Sequence, residues 1–300
     1  MEFACKELTR AGIAYAKEEP LCAHTSFRIG GPVEVLVFPK SEEELIFAVK
    51  CLENLGKAPL ILGNGSNILA ADGPISRVII KTHDGVGNLR QVDETAIYVS
   101  SGALLSKAAT FAKEIGLTGL EFAHGIPGTM GGAVVMNAGA YGGEMAQVIR
   151  SVDFLEKAGL SRKSLKTPDL DFSYRHSRFS NTDDVILGAV LTLNPGNAAE
   201  IQAKMDELSQ KRRNSQPLNF PSGGSTFKRP QGGYAAALID EAGLKGHTIG
   251  GAQVSEKHAG FVVNRGDATC ADVLRLIEHI QETVLRQTGI ALEPEIELIT

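Results

Sequence analysis

The sequence predicts an α+β protein of two domains. Three observations carry that expectation. Strand and helix signals alternate through the first half; a turn-forming run, Asn194-Pro195-Gly196-Asn197, interrupts the chain; and the part beyond it mixes helices with short strands. A cut there gives a first domain over 1–195 and a second over 196–300.

Taken in order, Ser41 to Gly56 reads as a helix. Ser41 and Glu44 form a capping box, Leu45, Val49, Leu52 and Leu55 an apolar stripe, and Gly56 a stop. The run from Pro59 to Leu62 reads as a buried strand, with further strands at Arg77 to Lys81 and Ala96 to Ser100. Ala103 to Ile115 reads as a helix ending at Gly116. A long irregular stretch follows, then strands at Val148 to Glu156 and Asp184 to Leu193. Past the turn come a polar helix, Ala198 to Arg213, and a Pro/Gly/Ser-rich loop, Gln216 to Gly233. Tyr234 to Ala242 reads as helix and Gly260 to Asn264 as strand. Thr269 and Asp272 open a long helix with the stripe Val273, Ile277, Ile280 and Val284, and Gly289 closes it. Glu295 to Ile299 is a last strand.

Composition excludes several classes. With 300 residues, 43% hydrophobic and 22% charged, the chain can bury a sizeable core. Its net charge of −5 argues against a nucleic-acid partner, and the densest basic run is only Lys211-Arg212-Arg213. Glu2, Lys6 and Glu7 break any signal-peptide core, and no apolar run approaches the roughly 20 residues of a membrane span. Cys5, Cys22, Cys51 and Cys270 form no CxxC pair, which suits free thiols in a cytoplasmic protein. The seven histidines form no HxxxH or HExxH pattern, so no catalytic metal is expected.

Two glycine-rich segments stand out. Gly63-Asn64-Gly65-Ser66-Asn67 follows a buried strand, and the segment from Gly119 to Gly143 holds eight glycines. Such density marks left-handed backbone or close main-chain approach, and runs of open N–H groups cradle phosphate oxygens. A tight loop packed on another loop is the competing reading. Neither GxxxxGK[ST] nor GxGxxG is completed, which argues against P-loop and Rossmann sites.

These residues carry a family resemblance. GNGSNIL at 63–69 and GIPGTMGGAVVMNAGAYG at 125–142 resemble the FAD domain of the vanillyl-alcohol-oxidase-like flavoproteins. HTSFRIGGPVE at 24–34, YRHSRF at 174–179, PSGGSTFKRP at 221–230, AGLKGHTIGGAQVSEKHAGFVVN at 242–264 and LEPEIELI at 292–299 are similar to the UDP-N-acetylenolpyruvoylglucosamine reductase family. The resemblance implies a two-part FAD-binding domain over 1–195. It implies a C-terminal α/β substrate domain over 196–300, whose last strand returns towards the FAD site. Gly63, Asn64, Gly65, Ser66 and Asn67, with Gly125, Ile126, Pro127, Gly128, Thr129, Gly131 and Gly132, would line the diphosphate and ribityl of a non-covalent FAD. Asn137, Ala138, Gly139, Tyr141 and Gly142 would sit close to the isoalloxazine.

The implied activity is the NADPH-dependent reduction of enolpyruvyl-UDP-N-acetylglucosamine to UDP-N-acetylmuramate. Hydride addition to the alkene leaves an enolate beside a carboxylate, which needs cationic partners and then a proton. By resemblance Arg175 holds the carboxylate or enolate oxygen with its bidentate fork, Ser225 delivers the proton, and Glu295 assists as an acid. Read from the residues alone, Arg175 is a surface ion-pair partner, Ser225 a turn residue and Glu295 an exposed strand residue. Arg178 is not separable from Arg175 by spacing. Tyr174, Lys228 and Gln253 are implied substrate contacts, while Arg229 stands where the family has Asn. The fifty residues from Arg175 to Ser225 resemble the shorter subclass, which lacks a substrate-covering insertion. Two other readings remain: an FAD-dependent oxidase or dehydrogenase of a small alcohol or hydroxy acid, and a non-enzymatic nucleotide-sugar-binding module.

Overall fold

The computed structural model describes residues 1–83 and 85–300. The chain begins with α1 (Glu2–Arg10), β1 (Ala14–Pro20), β2 (Pro32–Phe38), α2 (Glu42–Asn54), β3 (Leu60–Leu62), β4 (Ile68–Ala70) and β5 (Ile75–Lys81). Next come β6 (Leu89–Asp93), β7 (Ala96–Ser100), α3 (Leu105–Glu114), β8 (Leu117–Thr118), α4 (Met130–Val135), β9 (Gly139–Ala140) and β10 (Gly143–Glu144). They are followed by β11 (Ile149–Glu156), β12 (Ser161–Lys166), β13 (Val185–Thr192), β14 (Asn194–Pro195), α5 (Ala198–Ser215) and α6 (Ala235–Glu241). The chain closes with β15 (Thr248–Ile249), β16 (Ala252–Val254), β17 (Val262–Asn264), α7 (Cys270–Thr288) and β18 (Glu297–Ile299). Helices and sheets mix in the α+β manner that the sequence predicts.

The chain divides into two compact units. The first comprises Met1–Lys17, Val35–Asn64 and Arg77–Lys211, and the second Glu18–Glu34, Gly65–Ser76 and Arg212–Thr300. The chain therefore enters the second unit twice before residue 195, and the first glycine loop straddles the division between Asn64 and Gly65.

Most of a β1-β2-β5-β3 sheet lies in the first unit. One core gathers Leu8 of α1, Val35 and Val37 of β2, Leu45, Val49 and Leu52 of α2, and Val78 and Ile80 of β5. Ser41 caps α2 by accepting the Glu44 N–H at 3.2 Å. Glu44 returns its carboxylate to the Lys40 N–H at 2.8 Å, not to Ser41, so the expected box is displaced by one residue. Leu55 belongs to no core cluster and is exposed. Gly56 takes the left-handed φ of +68° that ends the helix.

A five-stranded sheet, β12-β11-β13-β7-β6, completes the first unit. Ile97 and Val99 point from it into a core shared with Leu105 and Ala108 of α3 and Met130 and Val134 of α4. Helix α4 lies inside the stretch expected to be irregular. Gly131 and Gly132 weaken its propensity signal, yet burial of Met130 and Val134 holds it.

The second unit packs α6 and α7 on a three-stranded sheet, β15-β16-β17, around Phe27, Phe227, Ile239, Val262, Val273 and Ile280. Helix α7 starts on a complete capping box: Thr269 Oγ1 accepts the Asp272 N–H at 3.0 Å, and Asp272 Oδ2 accepts the Thr269 N–H at 3.1 Å. The Thr269 N–H beside Asp272 is the main cause holding its carboxyl down at about 2. Asp72 caps the next positions, accepting from the Cys270 and Ala271 N–H groups at 2.6 and 3.1 Å. Strand β18 pairs parallel with β4, Glu297 opposite Ile68. Glu295 falls outside that strand, just beyond the bridge between Phe227 and Pro294. No helix among the described residues is long and apolar enough to cross a membrane.

Candidate active site

The first glycine loop is shaped by its own protein neighbours. Gly65 sits at φ +63°, and a Cβ there would collide with the His24 carbonyl. A side chain at Gly63 would collide with Thr129 Oγ1 of the second loop, and Asn64 Nδ2 donates to the Pro127 carbonyl at 2.6 Å. Within the first unit the structure thus brings Gly63 and Asn64 against Pro127 and Thr129.

The second loop runs along the turn after β7. The Leu105 N–H donates to the Gly128 carbonyl at 3.0 Å, Met130 N–H to Ala103 at 2.9 Å, and Gly131 N–H to Ser101 at 2.8 Å. Ser101 is 2% exposed, yet its Oγ has no hydrogen-bond partner among the described residues. A buried hydroxyl left open costs stability unless something accepts from it or donates to it. An FAD phosphate or ribose oxygen at these loops would meet that need, so the residues present fit the cofactor. Ser101 escapes the sequence reading because it looks like any serine before a glycine turn.

The loop then turns through Asn137 (φ +41°), Tyr141 (φ +54°) and Gly142 (φ +89°). Asn137 is 1% exposed; its Nδ2 donates to the Ser173 carbonyl at 3.0 Å and its Oδ1 accepts the Ala146 N–H at 2.9 Å. Gly139 is required because the Gly143 carbonyl lies 2.6 Å from where a Cβ would stand.

Ser173 opens the turn that bears Arg175. Ser173 and His176 exchange two main-chain hydrogen bonds at 3.1 Å, leaving Tyr174 and Arg175 at the tip. Arg175 has φ +55°, a region non-glycine residues rarely occupy, and its guanidinium lies 5.1 Å from the centre of the Tyr174 ring. Ser177 and Ser180 donate their hydroxyls to the Val135 carbonyl at the end of α4, at 2.9 and 3.1 Å. Arg178 is differently placed: it pairs with Asp184 at 3.3 Å and lies on Phe154 and Phe179. That packing separates Arg178 from Arg175, which spacing cannot do.

The serine and the glutamate belong to the second unit. Thr226, next to Ser225, is fully buried and acts as a junction. Its N–H donates to the Gly260 carbonyl at 2.8 Å, and its carbonyl accepts the Glu295 N–H at 2.8 Å. Its Oγ1 accepts the Val262 N–H at 2.9 Å. Asn67 Nδ2 donates to the Glu295 carbonyl at 2.9 Å, and the Glu297 N–H donates to the Asn67 carbonyl at 2.8 Å. The end of the first glycine loop, the Glu295 segment and the segment after Ser225 are therefore laced together. Gly224 supplies the φ of +81° that brings the chain round to Ser225. Lys228 pairs with the Glu293 carboxylate, and Gln253 donates to the Gly246 carbonyl at 3.2 Å and Thr248 Oγ1 at 3.1 Å. Burial lowers the His258 pKa, and its Nδ1 accepts the Gly260 N–H at 3.2 Å. Thr226 and His258 are absent from the expected site; Thr226 reads as one more small residue of a Gly/Ser loop.

A cavity of about 590 Å³ in the first unit is lined by Lys40, Arg90, Tyr98, Lys107 and Arg162 among others, and by none of the expected site residues.

Fold and loops define a flavoprotein: residues 33–163 match the family model of an FAD binding domain. Residues 216–299 match the model described as UDP-N-acetylenolpyruvoylglucosamine reductase, C-terminal domain. The chain is 47% identical over 296 residues to a UDP-N-acetylenolpyruvoylglucosamine reductase of Caldanaerobacter subterraneus subsp. tengcongensis, covering 98% of this chain and 96% of that one. It is 46% identical to one from Clostridioides difficile, over 94% of this chain and 92% of the relative. The crystal structure of UDP-N-acetylenolpyruvylglucosamine reductase from Thermus caldophilus superposes with a TM-score of 0.79 at 32% identity, covering 96% and 99% of the two chains. Alkyldihydroxyacetonephosphate synthase shares the fold alone, with a TM-score of 0.50 at 16% identity over 65% of this chain and 40% of that one. The chain belongs to the UDP-N-acetylenolpyruvoylglucosamine reductase family.

Proposed function

We propose that this protein reduces the enolpyruvyl ether of UDP-N-acetylglucosamine to UDP-N-acetylmuramate in peptidoglycan precursor synthesis, with NADPH as reductant and FAD as non-covalent cofactor. The observation that carries it is the lacing of Asn67, Glu295 and Thr226, which ties a flavin loop to the segments bearing an acid and a hydroxyl. FAD, when bound, would supply the hydride chemistry of the reduction.

The chain's own residues supply charge and a proton. Ser101, Thr129 and the main chain of Gly63 to Asn67 and Gly125 to Gly132 would hold the cofactor. Arg175 holds the substrate carboxylate and the oxygen where negative charge develops, from a turn whose φ of +55° sets the course of the backbone that carries it. Ser225 gives its hydroxyl proton to the carbon beside the ether, a transfer open to so weak an acid only because the enolate carbon is strongly basic. Glu295 assists in charge stabilisation. Tyr174, Lys228 and Gln253 contact substrate, and 196–300 serves as the substrate domain. Four free thiols suit the cytoplasm.

Anaerobic addition of NADPH to the purified yellow protein should bleach it, and the enolpyruvyl nucleotide sugar should restore the colour with one product per NADPH. Acid precipitation should release all the flavin. Colour restored by oxygen but not by the nucleotide sugar would point to an oxidase, and a colourless protein that rejects added FAD to a binding module.

A further inference from the structure

Two asparagines, one in each glycine loop, commit an amide nitrogen to the carbonyl of a segment bearing a reacting residue. Asn67 Nδ2 donates to Glu295 itself at 2.9 Å. Asn137 Nδ2 donates to Ser173 at 3.0 Å, two residues before Arg175. By family resemblance these asparagines line the flavin. The hydrogen bonds give them a second task.

Asn137 has both ends of its amide engaged within the protein and is almost wholly buried. An amide held from both ends fixes the position of the carbonyl it bonds, and so the course of the turn behind it. Arg175 needs such restraint, because its φ of +55° persists only where the surroundings over-determine it. Asn67 works from both sides of its residue: the side chain grips the Glu295 carbonyl, while the main-chain carbonyl takes the Glu297 N–H. Glu295 lies before the β4–β18 ladder begins, so this amide extends the ladder's hold to the residue that needs it.

We infer that Asn67 and Asn137 are positioning residues: Asn67 aligns Glu295 and Asn137 aligns Arg175, each from a loop that holds the flavin. Order in the flavin loops then sets the geometry of the step that follows hydride transfer. The inference rests on the roles proposed above for Glu295 and Arg175.

Asn67→Asp and Asn137→Asp keep the shape and replace the donating group by an acceptor. Each is combined with Glu295→Gln and with Arg175→Lys at saturating FAD, and both half-reactions are followed by stopped-flow absorbance. Each aspartate variant should slow reoxidation by the enolpyruvyl substrate about tenfold more than it slows bleaching by NADPH. On Glu295→Gln, Asn67→Asp should add less than about twofold, while keeping its full effect on Arg175→Lys. Asn137→Asp should show the reverse pairing. Equal effects in every background mark a general structural role and overturn the inference. Effects that vanish on saturation with FAD mark a role in cofactor binding alone and also overturn it. Where aspartate impairs folding, Asn67→Ala and Asn137→Gly remove the donor without adding charge and must give the same pairing. If Glu295→Gln and Arg175→Lys reoxidise at the wild-type rate, the roles and the inference fall together, an outcome distinct from intact roles without pairing.

Discussion

The two glycine loops hold the segments that bear Glu295 and Arg175 by different means. The first loop passes into β4, which pairs with β18, and the chain after β4 caps α7 through Asp72. Glu295 is placed by its N–H bond to the Thr226 carbonyl and by the Asn67 amide, two residues before a main-chain ladder that begins at Glu297. Among the described residues, the second loop has no ladder to the Arg175 turn. Three side chains, Asn137, Ser177 and Ser180, make that attachment, and three non-glycine or glycine residues of the loop, Asn137, Tyr141 and Gly142, take positive φ. A main-chain ladder does not depend on its side chains, whereas an attachment made by side chains alone weakens with the loss of any one of them.

Substitutions can break this contrast. The largest effect is expected at Gly65→Val, where a β-branched residue meets both a left-handed φ and the His24 carbonyl. Soluble yield and flavin content should both collapse. Folded protein that lacked only flavin would move the glycine's role from chain packing to the phosphate.

Ser177→Ala comes next. It removes a buried donor to Val135, and should lower stability by about 1–2 kcal/mol in chemical denaturation and slow reoxidation more than bleaching. Asp72→Ala, its counterpart on the first loop's side, should cost about 1 kcal/mol and leave the ratio of the two half-reactions unchanged. A changed ratio for Asp72→Ala would mean the ladder does not insulate Glu295.

A smaller effect is expected from pH. Asp272 titrates at about 2 in the folded chain and at about 4 when unfolded, so its contribution is complete above pH 4 and is lost as pH falls towards 2. Asp272→Asn should flatten that part of the wild-type stability profile. An unchanged slope would place the acid sensitivity elsewhere.

Much of this organisation is legible in the sequence. The long helix and its Thr269–Asp272 box, β7 and the Gly56, Gly116 and Gly289 stops follow from local chemistry. What escapes the sequence is set by distant contacts. The strand at Pro32–Phe38 lies within and beyond a segment notable only as a motif. Helix α4 hides behind two glycines, and the two early crossings into the second unit leave no composition mark. For the candidate site, glycine density singled out both loops, and family motifs proposed Arg175, Ser225 and Glu295. The positive φ of Arg175, the open Ser101 hydroxyl and the Thr226 junction depend on residues far apart in the chain, so no local pattern encodes them.

The most direct test of the proposed chemistry is Ser225→Ala in the two half-reactions, each followed by anaerobic stopped-flow absorbance. On the proposed mechanism, Ser225 gives its proton only after hydride has reached the substrate. NADPH should therefore bleach the variant's flavin at close to the wild-type rate, while reoxidation by the enolpyruvyl nucleotide sugar slows by about 10²–10⁴-fold, the usual loss of a positioned proton donor. Reoxidation at the wild-type rate would contradict the account and send the search for the donor elsewhere in the 221–230 loop. Failure of both half-reactions would make Ser225 a structural residue of that loop.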